Sequence, residues 1–203
     1  MLLTVTCPVC GAAGRAPCAS CAALLHPAPA LPPPPGVDAC LALLAYEGAG
    51  RELVARLKYR NHRAVLPGLA AAMASLVVEP GTPMAIDVVT WAPTTASRRR
   101  QRGFDHAELL ARAVAGHLRR PCARLLSRRP GPPQTGRPLA ERGQGPRLVA
   151  RRWLAGAAVL LVDDVVTSGS TVRASAVALR SAGASSVVVL AAARTPQPGA
   201  GVE

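Results

Sequence analysis

Aromatic residues are almost missing: one Phe, two Tyr and two Trp serve a chain of 203 residues. The stacking platforms typical of single-strand nucleic-acid binders therefore have little to be built from, which weakens a pure nucleic-acid reading without closing it. Bilayer-spanning runs are missing too, since the uncharged stretch Ala64 to Val78 is only 15 residues long and contains Pro67 and Gly68. The N-terminus has no basic region before its first apolar residues and Cys7 follows at once, so no secretory signal is expected and the chain reads as cytoplasmic. Half of the residues are apolar, enough for one ordinary domain with a small appendage, and disorder of the whole is excluded.

The middle of the chain is short of negative charge. Between Arg98 and Arg152 stand 15 Arg and no Lys against three acids, Asp105, Glu108 and Glu141, a net +12 of the chain's +13. Such a field attracts polyanions, and the guanidinium fork matches phosphate oxygens two at a time; pyrophosphate, a nucleotide or a nucleic-acid backbone would each qualify. The plainer alternative is a soluble basic surface.

Cys7-Pro-Val-Cys10 and Cys18-Ala-Ser-Cys21 are two C-x-x-C pairs separated by seven residues, with Gly11 and Gly14 after the first. Each pair can bite one edge of a tetrahedron from a tight turn, so Cys7, Cys10, Cys18 and Cys21 read as ligands of a structural Zn2+ with no position left for substrate. Two disulfides are the alternative, against which the cytoplasmic reading argues, and a redox pair lacks the surrounding βαβ pattern. Cys40 and Cys122 stand alone and read as small buried hydrophobes.

Residues 159–171 read Val-Leu-Leu-Val-Asp-Asp-Val-Val-Thr-Ser-Gly-Ser-Thr. Val159 to Val162 fit a strand buried on both faces, while Val172, Ala176 and Leu179 recur at helical spacing before Gly183. The turn between them sits at a helix N-terminus, where the amides of Thr167 to Thr171 would converge on a phosphate with the positive end of the helix dipole. Asp163 and Asp164 cannot serve that phosphate. As acceptors they suit a vicinal diol, so one ligand with a phosphate and ribose hydroxyls would satisfy the segment. An acidic strand end followed by an ordinary helix cap is the alternative, and it leaves the second acid unexplained.

Elsewhere, His26 to Gly36 is Pro-rich and extends as polyproline II, separating a metal module from the rest. Leu53, Val54 and Leu57 form an apolar helical stripe over Arg51 to Tyr59, Pro67 starts an Ala-rich helix, and Ile86 to Trp91 is the next buried strand. The loop from Pro93 carries Arg98, Arg99, Arg100 and Arg102 up to Asp105 and Glu108, an N-cap and third-position pair opening a helix that runs to about Leu118. Ligands of open α/β sheets gather at the carboxyl ends of strands, so this loop should approach the crevice of Asp163 and Asp164. Ser127 to Arg152 has little apolar periodicity and reads as a structureless functional lid holding Gln134, Arg137, Arg142 and Arg147, or as a loop without a role.

The segment 159–171 resembles the signature of the type I phosphoribosyltransferases, which bind 5-phosphoribosyl-1-pyrophosphate (PRPP). By that resemblance Asp163 and Asp164 hold the ribose hydroxyls, and Thr167, Ser168, Gly169, Ser170 and Thr171 wrap the 5-phosphate. Together with the four cysteines, Tyr46-x-Gly48, Leu57-Lys58-Tyr59, Arg98 with Arg102-Gly103-Phe104, and Gln134-Thr135-Gly136 with Arg142, the chain resembles the ComF/GntX family. That resemblance implies an α/β type I phosphoribosyltransferase fold, a parallel sheet flanked by helices, over 37–203, joined through a linker at 27–36 to a zinc finger at 1–26. It further implies a Mg2+-dependent enzyme that transfers a phosphoribosyl group to a nucleobase-like acceptor, with Arg98 and Arg102 near the pyrophosphate, Gln134 and Arg142 on the flexible loop, and a link to DNA uptake in competence. The other function it implies is a non-catalytic accessory to single-stranded DNA or the uptake machinery. The chain departs from the family at Asp105 and His106, where Asn-Gln is favoured, and at Gly145, where Asn is favoured. His106 is a candidate base or phosphate donor, or simply a solvated or capping first-turn side chain.

Overall fold

A computed structural model describes residues 5–57, 64–78, 84–95, 97, 100, 103–129 and 145–196. Its elements in chain order are α1 (Ala19–Ala22), β1 (Ala39–Ala45), α2 (Gly48–Arg56), α3 (Leu66–Val78), β2 (Val88–Trp91), α4 (His106–Leu118), β3 (Leu126–Arg128), β4 (Leu148–Ala150), β5 (Ala158–Val166), α5 (Ser170–Ser181) and β6 (Ser186–Arg194). Four strands form one parallel sheet in the order β1-β6-β5-β2, and a bridge from Val89 to Cys122 extends it beyond β2. Parallel sheets need both faces covered, and the sequence supplies the means: the first five residues of β5 run Ala-Val-Leu-Leu-Val, with no polar side chain to offer water. Leu160 and Val162 point into a core shared with Leu53 of α2, Met73 of α3, and Leu110 and Val114 of α4. Val159 and Leu161 point to the other side and meet Val172, Ala176 and Leu179 of α5 together with Leu125 and Leu126. The sheet is thus flanked by helices on both sides, as expected.

Where sequence and structure differ, the backbone gives the reason. The apolar run ends at Val162, but β5 continues through the acidic pair to Val166, because Asp163, Val165 and Val166 pair with Ala191, Ala193 and Arg194 of β6. The segment from Ser127 to Arg152 is not structureless throughout: β3 and β4 pair antiparallel at its two ends, Leu126 opposite Ala150. Three paired residues are too few to impose a periodicity that a sequence could show. Cys40 and Cys122 are half-buried and packed at the edges of the two cores, with burial pushing both thiols up from their ordinary range. Among the described residues no helix is long and apolar enough to cross a membrane.

The Pro-rich segment is tied to the sheet edge. His26 and Leu43 carbonyls accept from the amides of Ala45 and Ala28, and Pro27 bridges Leu44 antiparallel. Further on, the guanidinium of Arg194, at the end of β6 and buried, donates to the carbonyls of Leu31 (3.0 Å) and Pro32 (2.9 Å). Proline carbonyls have no strand partner of their own here, and a buried guanidinium needs acceptors, so each settles the other. Asp38 then pins the segment's end, accepting from the Val187 amide at 2.6 Å and from Arg180 of α5.

Because Leu161 lies in the sheet's interior strand with no exposure at all, truncating it removes buried methyl groups and leaves a cavity that the flanking strands cannot close. Leu161→Ala should lower unfolding free energy by about 3 kcal/mol, measured by urea denaturation with an unchanged slope; a loss under about 1 kcal/mol would contradict the packing described.

Candidate phosphoribosyl site and cysteine cluster

Two helices, α4 and α5, begin beside the carboxyl ends of β2 and β5, and the cleft between them is lined by Pro93, Thr94, Asp105, His106, Arg128, Asp163, Asp164 and Thr171. It is the crevice that an open parallel sheet offers to ligands. Asp163 Oδ1 accepts from the Asp164 amide, and Asp164 Oδ1 accepts from the Val165 amide, both at 2.8 Å. Each carboxylate therefore has one oxygen held by the backbone and its orientation fixed before any ligand arrives. Burial, and after it the charge of Asp164, push the Asp163 carboxyl well above its ordinary value. Two like charges side by side resist joint ionisation, and donors such as ribose hydroxyls would relieve them.

The loop from β5 to α5 turns on Gly169, which takes a left-handed conformation (φ 69°) as the N-cap of α5. Ser168 Oγ donates to Ser170 Oγ at 3.2 Å and accepts from the Ser170 amide at 3.4 Å. This loop is the wall between two clefts. Thr171 lines the acidic one, whereas Thr167, Ser168 and Gly169 line a neighbouring cleft with Pro32 to Pro35, Arg173, Arg194 and Thr195. A Cβ built on Gly169 would lie 3.1 Å from Pro34 Cγ, so the Pro-rich segment backs the turn directly. A Cβ on Gly145 would lie 2.6 Å from the Ser170 carbonyl oxygen. The departure from Asn at 145 therefore has a steric counterpart, a backbone passing too close for any side chain.

Asp105 and His106 are both buried. A solvated His106 is thus corrected: its ring meets Phe104 edge-on with centroids 4.7 Å apart. Helix α4 starts and ends as expected, but the cap pairing is corrected as well. Asp105 makes no side-chain cap bond, and Glu108 turns to Arg112 at 2.8 Å. The Asp105 Oδ2 instead accepts from the Thr94 amide at 3.0 Å, joining the two ends of the Arg-rich loop. Arg98, Arg102, Gln134 and Arg142 lie outside the described residues, as do Lys58, Tyr59, Thr135 and Gly136. Thr94, Arg128 and the Pro32–Pro35 backing were not singled out from the sequence; only proximity in the fold relates them to the site.

Far from this cleft, the thiols of Cys7, Cys10, Cys18 and Cys21 lie within 4.8 Å of one another. All four are free, and the Sγ atoms of Cys10 and Cys18 are 3.8 Å apart. A disulfide needs about 2 Å, whereas sulfurs about 2.3 Å from a tetrahedral zinc stand about 3.8 Å from each other. The donor set fits a soft divalent ion. Burial works against the Cys7 thiolate, yet the amides of Cys18, Cys10 and Val9 outweigh it and bring the thiol down to about 6. Burial and the neighbouring sulfurs push Cys21 up to about 12. Four sulfurs this close share too few positive partners, and a divalent cation supplies what they lack.

Comparison with known proteins bears on the same residues. Residues 102–199, which include α4, β5, the acidic pair, the Gly169 turn and β6, match the phosphoribosyl transferase domain model. Among solved structures, the glutamine PRPP amidotransferase from B. subtilis, complexed with ADP and GMP, is 26% identical over 64% of this chain and 26% of its own, with a TM-score of 0.44. A hypothetical protein from Neisseria gonorrhoeae with bound ppGpp is 15% identical over 66% of this chain and 73% of its own (TM-score 0.42). The purine phosphoribosyltransferase from Pyrococcus horikoshii Ot3 is 15% identical over 67% and 77% (TM-score 0.39). The chain thus spans about a quarter of the amidotransferase. No curated protein matches it.

The Gly169 turn generates a direct test. Gly169→Ala forces a side chain into a left-handed backbone and against Pro34, and should lower stability by about 1–2 kcal/mol in chemical denaturation. An unchanged midpoint would show that the turn is not held as described.

Proposed function

We propose that this phosphoribosyl transferase domain binds PRPP and transfers its ribosyl group to a nucleobase-like or other nitrogen-bearing acceptor, as an enzyme of the ComF type working in the cytoplasm. The observation that carries this reading is the pair Asp163 and Asp164, backbone-oriented at the end of β5 and one turn from the N-terminus of α5. In it, the two carboxylates accept from the ribose hydroxyls, and the amides of Thr167 to Thr171 take the 5-phosphate at the helix's positive end. Arg128 on the cleft wall is assigned to the departing pyrophosphate, and by the family resemblance Arg98, Arg102, Gln134 and Arg142 are assigned to it as well, since guanidinium groups match the developing charge. Mg2+ would supply charge neutralisation there, as a hard cation for which the phosphates themselves offer oxygen ligands.

At the N-terminus the metal is Zn2+, held by Cys7, Cys10, Cys18 and Cys21 as a structural site. Metal analysis should find one zinc per chain, and its removal by a strong chelator should unfold residues 5–25 while leaving the sheet intact; a folded, metal-free preparation with disulfides would contradict it.

A specific observation also favours a second reading, an accessory role in handling single-stranded DNA linked to uptake. Trp153 is 70% exposed and follows Arg151 and Arg152, both exposed, along an open groove beside α5. A base can stack on such a ring while the guanidiniums meet its phosphates.

The two readings part at the acidic pair. Asp163→Asn with Asp164→Asn should weaken PRPP binding by about 100-fold or more in calorimetry, with folding unchanged by circular dichroism and DNA affinity not reduced. Undiminished PRPP affinity in the double variant would refute the assignment.

A further inference from the structure

The cleft holds one acid that the ribose and phosphate contacts leave unused. Asp105 lies across from Asp163 and Asp164, is 6% exposed, and lines the same space. One of its oxygens is engaged by the Thr94 amide at 3.0 Å, which fixes the carboxylate at the N-terminus of α4. Its neighbours are poor substitutes for a proton acceptor. Asp163 and Asp164 are assigned to the ribose, and the His106 ring borders an apolar pocket formed by Leu57, Leu66, Leu109 and Leu110 as well as the cleft. Arg128 is the one described cation on the cleft wall, facing three carboxylates. With the guanidinium groups assigned to the pyrophosphate, an acceptor that brought its own negative charge would meet these carboxylates unfavourably.

Resting on the PRPP-transferase reading, we propose that Asp105 is the base of the reaction and that the acceptor is a neutral or cationic N–H compound. The acceptor nitrogen's lone pair forms the bond to C1 of the ribose as the C1–O bond to pyrophosphate breaks. That electron pair leaves with the pyrophosphate, and the proton displaced from nitrogen passes to the Asp105 carboxylate and then to water. Burial raises the proton affinity of Asp105, and the charges of Glu108 and Asp164 add to it, while the Thr94 amide works the other way. A more basic carboxylate is a better acceptor near neutral pH. The groups facing it are Glu108 and His106 on α4, Asp163 and Asp164 on β5, and Arg128 on β3.

The test takes the full chain with Mg2+ and PRPP. Calorimetry measures PRPP binding first, and pyrophosphate release is then followed over roughly pH 5–9. The N–H probes are ammonia supplied from an ammonium buffer, aniline and neutral nucleobases, and orotate is the anionic probe. The wild type should release pyrophosphate with a neutral or cationic probe in preference to orotate, with activity falling as pH drops through the raised Asp105 range. Asp105→Asn keeps an oxygen for the Thr94 amide and removes a negative charge, so it should bind PRPP at least as tightly. It should nevertheless turn over about 100-fold more slowly or worse, without that acidic limb, while Asp105→Glu keeps the limb. A wild-type rate in Asp105→Asn, a parallel loss of PRPP binding, a preference for orotate, or no release with any neutral or cationic probe would each overturn the proposal. Failure of the wild type to bind PRPP would instead strike the PRPP reading itself, before any acceptor is added.

Discussion

Two neighbouring carboxylates at the end of an interior strand set the terms for everything around them. An ionised acid at the edge of an apolar sheet is costly unless donors surround it, and two side by side double the difficulty. The chain answers locally first, by bonding one oxygen of Asp163 and one of Asp164 to the amide that follows each. Both residues line the cleft, where two helix N-termini and Arg128 add positive potential. What is left over is a demand for hydroxyl donors and a tolerance for phosphate.

That cleft is built from parts far apart in sequence. Arg194 closes β6 by grasping the carbonyls of Leu31 and Pro32, and the prolines thus held stand behind Gly169. On the opposite side, Gly145 returns from the basic segment to within a side chain's reach of Ser170. A turn that must hold its amides in one array is therefore braced from two directions, by backbone and by rigid rings with little conformational freedom left to lose. Asp105 likewise ties residue 94 to residue 105. Rigid supports of this kind are what let short polar loops keep a geometry suited to a phosphate.

The sequence already showed the strand, the acidic pair and the helix after it, because Val159 to Val162 is an uninterrupted apolar run and Val172, Ala176 and Leu179 mark one helical face. It also showed the cysteine cluster, since C-x-x-C turns are local. It did not show that β5 runs on through Asp163 and Asp164, which depends on pairing with β6, nor that β3 and β4 pair, which depends on two three-residue segments meeting across a long interval. The Pro-rich segment reads as a spacer because proline forbids regular structure. Its hydrogen bonds come from Arg194, more than 160 residues away. Asp105 was visible as a helix cap, but its carboxylate turns to Thr94 and the cleft, a choice made by tertiary contacts.

The central claim is that one ligand spans the acidic pair and the turn before α5. A crystal structure of the protein with Mg2+ and PRPP tests it most directly. The account predicts both ribose hydroxyls within hydrogen-bond distance of Asp163 and Asp164, and the 5-phosphate against the amides of Thr167 to Thr171. Density for the ligand in the neighbouring cleft, among Pro32 to Pro35, Arg173 and Arg194, with the acidic pair untouched, would contradict it.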